Sequence, residues 1–160
     1  MATQNIQGPG MLYVRARISR PDLMTEEVYM KWYDEDHIAE IVSTDGIKTA
    51  YRYINTDSKA QWPYLAFYPM SDMAFTQGER FRKIRVKSDL LPGTGICYDL
   101  ADNDVRYLSL VETLGSKRKG VANCLVCIGI EPGQNTSESD VESWFKSDVS
   151  KMDASSIGQV

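Results

Sequence analysis

The chain has 160 residues, enough for one ordinary domain and too few for two of full size. Eighteen Lys and Arg against 22 Asp and Glu leave a net charge of -4, which argues against a protein that grips a phosphate backbone, so no nucleic acid partner is expected. At 42% hydrophobic and 25% charged residues the composition is that of a soluble globular protein. The most continuous apolar run, Cys124 to Ile130, is far short of the roughly 20 residues that span a bilayer, so no membrane partner is expected either.

Residues 1–10 form a polar, flexible leader with no apolar stretch of the kind a secretion signal needs. From Met11 to Ile18 the chain alternates, with Leu12, Val14, Ala16 and Ile18 on one face and Tyr13, Arg15 and Arg17 on the other, which predicts a first strand. Pro21 and Asp22 end it. Thr25 is a plausible N-cap, Glu26 and Glu27 suit a first turn, and Val28, Trp32, Ala39 and Val42 recur on one stripe, predicting a helix from Thr25 to Val42. Gly46 opens a second strand through Asn55, and Trp62 to Tyr68 make a third, with Trp62, Tyr64 and Tyr68 on one parity. Residues 71–85 read as a looser helix using Met73, Phe75, Phe81 and Ile84. Leu90 to Asp104 read as a long loop, and Val105 to Leu114 as a fourth strand.

The order β-α-β-β-α-β is that of the α+β ferredoxin-like fold, with two helices on one sheet face. Beyond it, Ala122 to Ile130 predict a fifth strand and Ser137 to about Met152 a third helix. Thr25-Glu26 stand seven residues before Trp32-Tyr33, and Ser137-Glu138 seven before Trp144-Phe145, which marks the opening of a second, weakly similar copy or a chance likeness. The expected organisation is a leader over 1–10, an α/β domain over 11–115, a partial second repeat over 121–152 and a tail over 153–160. Lys117-Arg118-Lys119 read as a solvated connection between the copies.

His37 is the chain's single histidine, so sites that need two or three imidazoles cannot form within one chain, and no metal is expected. There is no glycine-rich nucleotide motif and no nucleophile elbow, so no cofactor is expected. Three cysteines, an odd number, predict a reduced, cytoplasmic setting. Cys124 and Cys127 lie in a strand-like run, where residues three apart point to opposite faces, and read as buried structural thiols.

Any catalytic imidazole must be His37, whose ordinary pKa near 6.5 makes both protonation states accessible; the alternative is a histidine that only satisfies carbonyls near a helix end. Asp34 stands three residues earlier and is placed to orient it or to be solvated, while Tyr33 faces a pocket and Trp32 packs on the sheet. Tyr51, Tyr53, Tyr64 and Tyr68 suit stacking on a flat substrate and donation to an enolate oxygen, or plain cross-strand pairing. Arg15, Arg17 and Arg52 need acids to neutralise them or an anionic ligand. The parity of the second strand is open: Tyr51 and Tyr53 share one face and Arg52 takes the other. A sheet covered by helices on one side leaves a face carrying Tyr13, Arg15, Arg17, Trp62, Tyr64 and Tyr68, too aromatic for water, which predicts a homodimer whose facing sheets enclose a pocket.

The run Trp32 to Ile38, then Asp45-Gly46-Ile47 and Tyr51-Arg52-Tyr53, resembles the EthD-type branch of the dimeric α/β-barrel superfamily. Tyr64 to Pro69, Asp72 and Leu90-Leu91-Pro92-Gly93 are similar to fungal members, in which a second copy usually follows. The resemblance covers residues 11 to about 152. It departs at Ala39, where many members have proline, and in a second copy that stops after one strand and helix. It implies a cofactor-independent lyase or cyclase of secondary metabolism, decarboxylating or closing a polyketide-like or aromatic small molecule. His37, Tyr33 and Asp34 would be catalytic, and Tyr13, Arg15, Arg17, Tyr51, Arg52, Tyr53, Trp62, Tyr64 and Tyr68 would bind substrate. Two alternatives use the same residues: a cofactor-free quinone-forming monooxygenase, and a non-catalytic binding or interaction protein.

Overall fold

The alternation after the leader folds as a strand. In the computed structural model, which describes residues 6–113 and 120–148, β1 spans Gly10–Ile18 and buries Leu12, Val14 and Ala16. It lies at the centre of a four-stranded sheet of order β2-β3-β1-β4, completed by β2 (Tyr51–Ile54), β3 (Tyr64–Met70) and β4 (Ala101–Ser109). All neighbours are antiparallel. This is an α+β architecture compatible with the ferredoxin-like arrangement.

The predicted first helix is one unbroken helical run: α1 (Glu26–Trp32), a π-helical turn (Tyr33–His37) and α2 (Ile38–Ser43). Thr25 caps it, accepting from the Val28 amide at 3.3 Å, with Glu26 and Glu27 beside the positive end of the helix dipole. An α-helix turns about 100° per residue, so side chains four apart drift by about 40° at each step. The wider π-turn takes up much of that drift and keeps Tyr29, Tyr33, His37 and Ile41 on the sheet side. The run ends where the Ser43 and Thr44 hydroxyls fold back onto the Glu40 and Ile41 carbonyls and Asp45 adopts φ 64°. Gly46 follows against Phe75: a Cβ there would stand 2.2 Å from the ring.

β2 is shorter than predicted and does not begin at Gly46. It pairs Tyr51 with Phe67, and two residues further the ladder would bring Thr49 opposite Pro69, which has no amide to donate. The looser helix is two pieces, a 3-10 turn (Met73–Gln77) capped by Asp72 and a short α3 (Glu79–Arg82), separated by Gly78. β4 starts four residues before the predicted Val105. Asp102 and Asp104, which read as loop residues, lie opposite Arg17 and Arg15 of β1 and pair with them.

The registers also correct the expected faces. Leu12 is opposite Tyr68 and Ala16 opposite Tyr64, so these two tyrosines lie on the helix-covered face. Tyr13, Arg15 and Arg17 lie on the other, as do Leu65, Phe67, Tyr51 and Tyr53, and Arg52 turns toward the helices. Among the most buried side chains are Met24, Tyr29, Ile47, Tyr68, Met73 and Leu100.

The chain divides after Val111. In the second unit α4 (Glu138–Ser147) begins as predicted, with a capping box in which Ser137 accepts from the Asp140 amide and the Asp140 carboxylate accepts from the Ser137 amide. The residues assigned to its end beyond 148, and Lys117 to Lys119, lie outside the described residues. The predicted fifth strand is not formed: no strand spans 122–130, and Val121, Leu125, Val126, Ile128 and Ile130 are exposed. An alternating pattern needs a neighbouring strand to repay the entropy of ordering it. Cys124 and Cys127 are exposed there, not buried as expected. Among the described residues no helix is long and apolar enough to cross a membrane.

Candidate active site

The π-turn delivers Tyr33 and His37 to the space between the helical run and the sheet. There they line a cavity of about 180 Å³, with Trp32 and Ile41 from the same run, Leu12 and Val14 from β1, Tyr68 from β3, and Asn103, Val105 and Tyr107 from β4. Ile47, Phe81, Ile84, Val86, Cys97 and Tyr98 complete the wall. A hydrocarbon-lined cavity of about 150 Å³ holds a benzene ring, so this chamber suits one ring with small substituents.

His37 is clamped between aromatic rings. Its imidazole stacks on Trp32 at 4.7 Å and 19°, and meets Tyr33 edge-on at 5.3 Å. Among the described residues its Nδ1 is a buried polar atom with no hydrogen-bond partner. Burial pushes the imidazole pKa below its ordinary value, against the opposing charges of Glu40 and Asp36 and a hydrogen bond to the Arg85 backbone. The neutral form is therefore favoured at neutral pH. Asp34, expected as a candidate to orient the ring, instead pairs with Arg52 at 2.9 Å.

The phenols form a cluster. Tyr68 donates a long 3.5 Å hydrogen bond to the Tyr33 oxygen. Burial pushes the Tyr33 hydroxyl up to about 12, although the hydrogen bonds from Tyr68 and Tyr29 and the Arg52 charge pull it down. Tyr68 and Tyr29 are also raised well above the ordinary tyrosine value, again mainly by burial. All three stay protonated at neutral pH. With its oxygen accepting from Tyr68, Tyr33 keeps its own proton free to donate.

Tyr33 and Val14 also line a second cavity of about 130 Å³, walled by Tyr29, Met30, Arg52, Tyr53 and Tyr64 among others. The Arg52 guanidinium sits 5.4 Å above the Tyr33 ring and is neutralised by Asp34. Thus Tyr33, Tyr68 and His37 share the larger chamber, and Arg52, Tyr53 and Tyr64 line the smaller one.

The other expected substrate residues are not brought there. Tyr13, Arg15 and Arg17 lie on the far side of the sheet, where Arg15 pairs with Asp104 and Arg17 with Asp102. Trp62 supports both guanidiniums from 5.5 and 5.4 Å. Tyr51 stacks on Phe67 at 5.1 Å on that same face. The two cavities of this chain lie on the helix side of the sheet. Cys97, Asn103, Tyr98 and Tyr107 were missed as lining residues; Asn103 shares the parity of Val105, a signal hidden because 101–104 read as loop, and Tyr107 shared it openly within the predicted strand. Among the described residues no three His, Cys, Asp or Glu side chains are grouped to hold a metal ion.

The fold and site define an α+β protein with a largely apolar cavity lined by one histidine and several tyrosines. No protein-family model matches the chain, and no solved structure matches it. Among curated proteins it is 29% identical over 94 residues to Core atranone cluster (CAC) protein 1 of Stachybotrys chlorohalonatus (strain IBT 40285). That stretch is 59% of this chain and 39% of the relative, so the chain spans about two fifths of the length of the curated protein it matches.

Proposed function

We propose that the chain is an EthD-type, cofactor-independent lyase or cyclase acting on a small aromatic or polyketide-like ketone or keto acid in fungal secondary metabolism. The observation that carries this is the unpartnered Nδ1 of a neutral imidazole buried in the wall of an apolar, phenol-lined chamber. Likeness to a protein named for a biosynthetic cluster supports the metabolic setting.

The chemistry follows from protonation states. In a ring closure Nδ1 takes a proton from carbon beside a carbonyl, and the electron pair moves onto the carbonyl oxygen. Tyr33 donates to that enolate oxygen, the enolate carbon attacks a second carbonyl, and the imidazolium returns its proton to the new alkoxide. In a decarboxylation Nδ1 takes the carboxyl proton, the carbon–carbon bond breaks with loss of carbon dioxide, and the same proton is returned to the enolate carbon. A positioned acid/base group supplies about 10²- to 10⁴-fold, sufficient for an activated β-keto compound. Arg52 holds a substrate carboxylate at the smaller cavity if Asp34 yields it. The proposal includes a homodimer joined through the sheet face that carries Tyr13, Tyr51, Tyr53 and Phe67, in a cytoplasmic setting.

The test is to incubate the full chain with a panel of aromatic β-keto acids and poly-β-ketones, following carbon dioxide, oxygen and products by mass spectrometry. Turnover without oxygen uptake, with a limb of the pH-rate profile lost in His37→Gln, supports the reading. Oxygen consumption would replace it with an oxygenase, and binding without turnover would replace it with a carrier. A monomer by light scattering at micromolar concentration would remove the dimer.

A further inference from the structure

The smaller cavity and the chamber beside His37 share a wall, since Val14 and Tyr33 line both. Arg52 is the one charged side chain among the residues that line the smaller cavity; the rest of its wall is tyrosine rings, aliphatic groups and the Met30 thioether. The Arg52 guanidinium stands 5.4 Å above the Tyr33 ring, and the His37 imidazole lies 5.3 Å from the same ring. The guanidinium is weakly matched from within the cavity: Nη1 donates to the Met30 Sδ at 2.8 Å, and a thioether is a poor acceptor. Nη2 donates to Asp34 at 2.9 Å, in a pair whose arginine side chain is 23% exposed and whose carboxylate is 57% exposed. Asp34 is not a lining residue, so it meets Arg52 from outside the cavity. A partner that exposed adds little to stability and can turn into water at small cost. A carboxylate arriving from inside then takes Nη1 and Nη2 together, a two-point match of planar fork to planar acid that sulfur cannot offer.

We propose that the smaller cavity seats a spectator carboxylate: the substrate is an aromatic acid whose ring lies beside His37 and whose carboxylate-bearing arm passes Tyr33 to Arg52, where it stays unreacted. This deepens the proposed function and rests on the larger chamber being the place of reaction. A carboxylate held by a guanidinium is not the one that leaves as carbon dioxide, because the pairing stabilises charge on the oxygens while departure moves that charge onto carbon, away from Arg52. Such an interaction is stronger before the reaction than at its transition state and opposes the loss. In a decarboxylation the substrate is accordingly a diacid, and in a ring closure a keto acid. The sizes agree, with about 180 Å³ for the ring and about 130 Å³ for a short carboxyalkyl arm.

The probe is 3-phenylpropionate, added to the full chain with its amide as the neutral control. Calorimetry should show the acid binding roughly ten- to hundredfold tighter than the amide, the size expected of charge-assisted hydrogen bonds. Arg52→Met should remove that preference and leave the affinity for the amide unchanged, Arg52→Lys should restore part of it, and Asp34→Asn, which frees Nη2, should tighten the acid several-fold. With ¹³C-methyl methionine the Met30 signal, assigned by its loss in Met30→Leu, should move on adding the acid. The ring protons of His37, the single histidine, should move in the same titration. Equal affinity for acid and amide, a preference that survives Arg52→Met, or movement of only one of the two signals would overturn the proposal. The wild-type titration decides if Arg52→Met does not fold. Binding needs no turnover: both signals moving in a chain that transforms none of the keto acids refutes the proposed function and leaves this seat standing, whereas turnover of a carboxylated substrate with KM unchanged in Arg52→Met overturns the seat and leaves that function.

Discussion

Lowering the pH from 8 to 5 protonates an ordinary histidine while leaving most carboxylates charged, and this chain has only His37. In the unfolded chain His37 titrates near 6.5; in the folded chain burial holds its pKa lower. The unfolded state therefore binds more protons in the window between the two values. Stability is complete above about pH 6.5, falls as pH drops through that window, and levels off below the folded pKa, losing about 1.4 kcal/mol for each unit of separation. His37→Phe removes the cause. The phenyl ring keeps the stack on Trp32, seen at 4.7 Å, worth about 0.5–1.5 kcal/mol. It eliminates the orphaned Nδ1, a gain of about 1–3 kcal/mol, and gives up the imidazole's favourable interaction with the Arg85 backbone, which opposes that gain. At pH 8 the variant should lie within about 1 kcal/mol of wild type, and toward pH 5 it should become progressively the more stable of the two. Urea unfolding followed by tryptophan fluorescence reads this directly, with a slope of about 1–3 kcal/mol per molar converting midpoints to free energy. Carboxylate titration is common to both proteins and cancels in the difference. A stability difference that stays constant from pH 8 to 5 would refute the burial of a neutral imidazole.

Gly46→Ala should destabilise the fold by about 1–3 kcal/mol, because its Cβ would stand 2.2 Å from the Phe75 ring. Thermal unfolding reads this, and Gly46→Ala combined with Phe75→Leu should recover part of the loss; a fully additive double variant would refute the contact. With Ellman's reagent at pH 8, the exposed Cys124 and Cys127 should react quickly. Cys97, buried and with its thiol pushed up to about 12 by desolvation, should react only on unfolding, and a single rate for all the thiols would contradict its placement.

What the residues disclosed depended on whether a local pattern carried its own partner. β1 was legible because its apolar face alternates, and α1 because Thr25, Glu26 and Glu27 mark its start. The first half of β4 was not, since Asp102 and Asp104 resemble a loop until Arg17 and Arg15 are seen opposite them. Parity grouped Trp62, Tyr64 and Tyr68, but pairing with Leu12 and Ala16 puts only Tyr68 and Tyr64 on the helix-covered face, while Trp62, before the strand begins, lies against Arg15 and Arg17 on the other. The helical stripe was legible in part, since Trp32 is buried and Val28 packs against the core, but not beyond them. An α-period favours Val28, Trp32, Ala39 and Val42, whereas the π-turn rotates Tyr29, Tyr33 and Ile41 inward and leaves Ala39 exposed. His37 was identified by its being alone, but its neighbours Glu40 and Arg85 lie 45 residues apart and show their association only in the folded chain. The segment 122–130 has a strand-like apolar run, yet among the described residues it forms no strand, so that signal led to an element that is not there.

The two arginine–aspartate pairs between β1 and β4 are exposed or half-exposed, and each adds little to the free energy of folding. Their value is discriminatory. Sliding β4 by two residues preserves which side chains face the helices, so hydrophobicity cannot tell the slipped sheet from the native one. One such slip sets Arg15 against Arg106, and like charges directly opposite are repelled. Charge thus weighs against that slip of the edge strand and favours the register in which Asn103, Val105 and Tyr107 furnish one wall of the larger cavity.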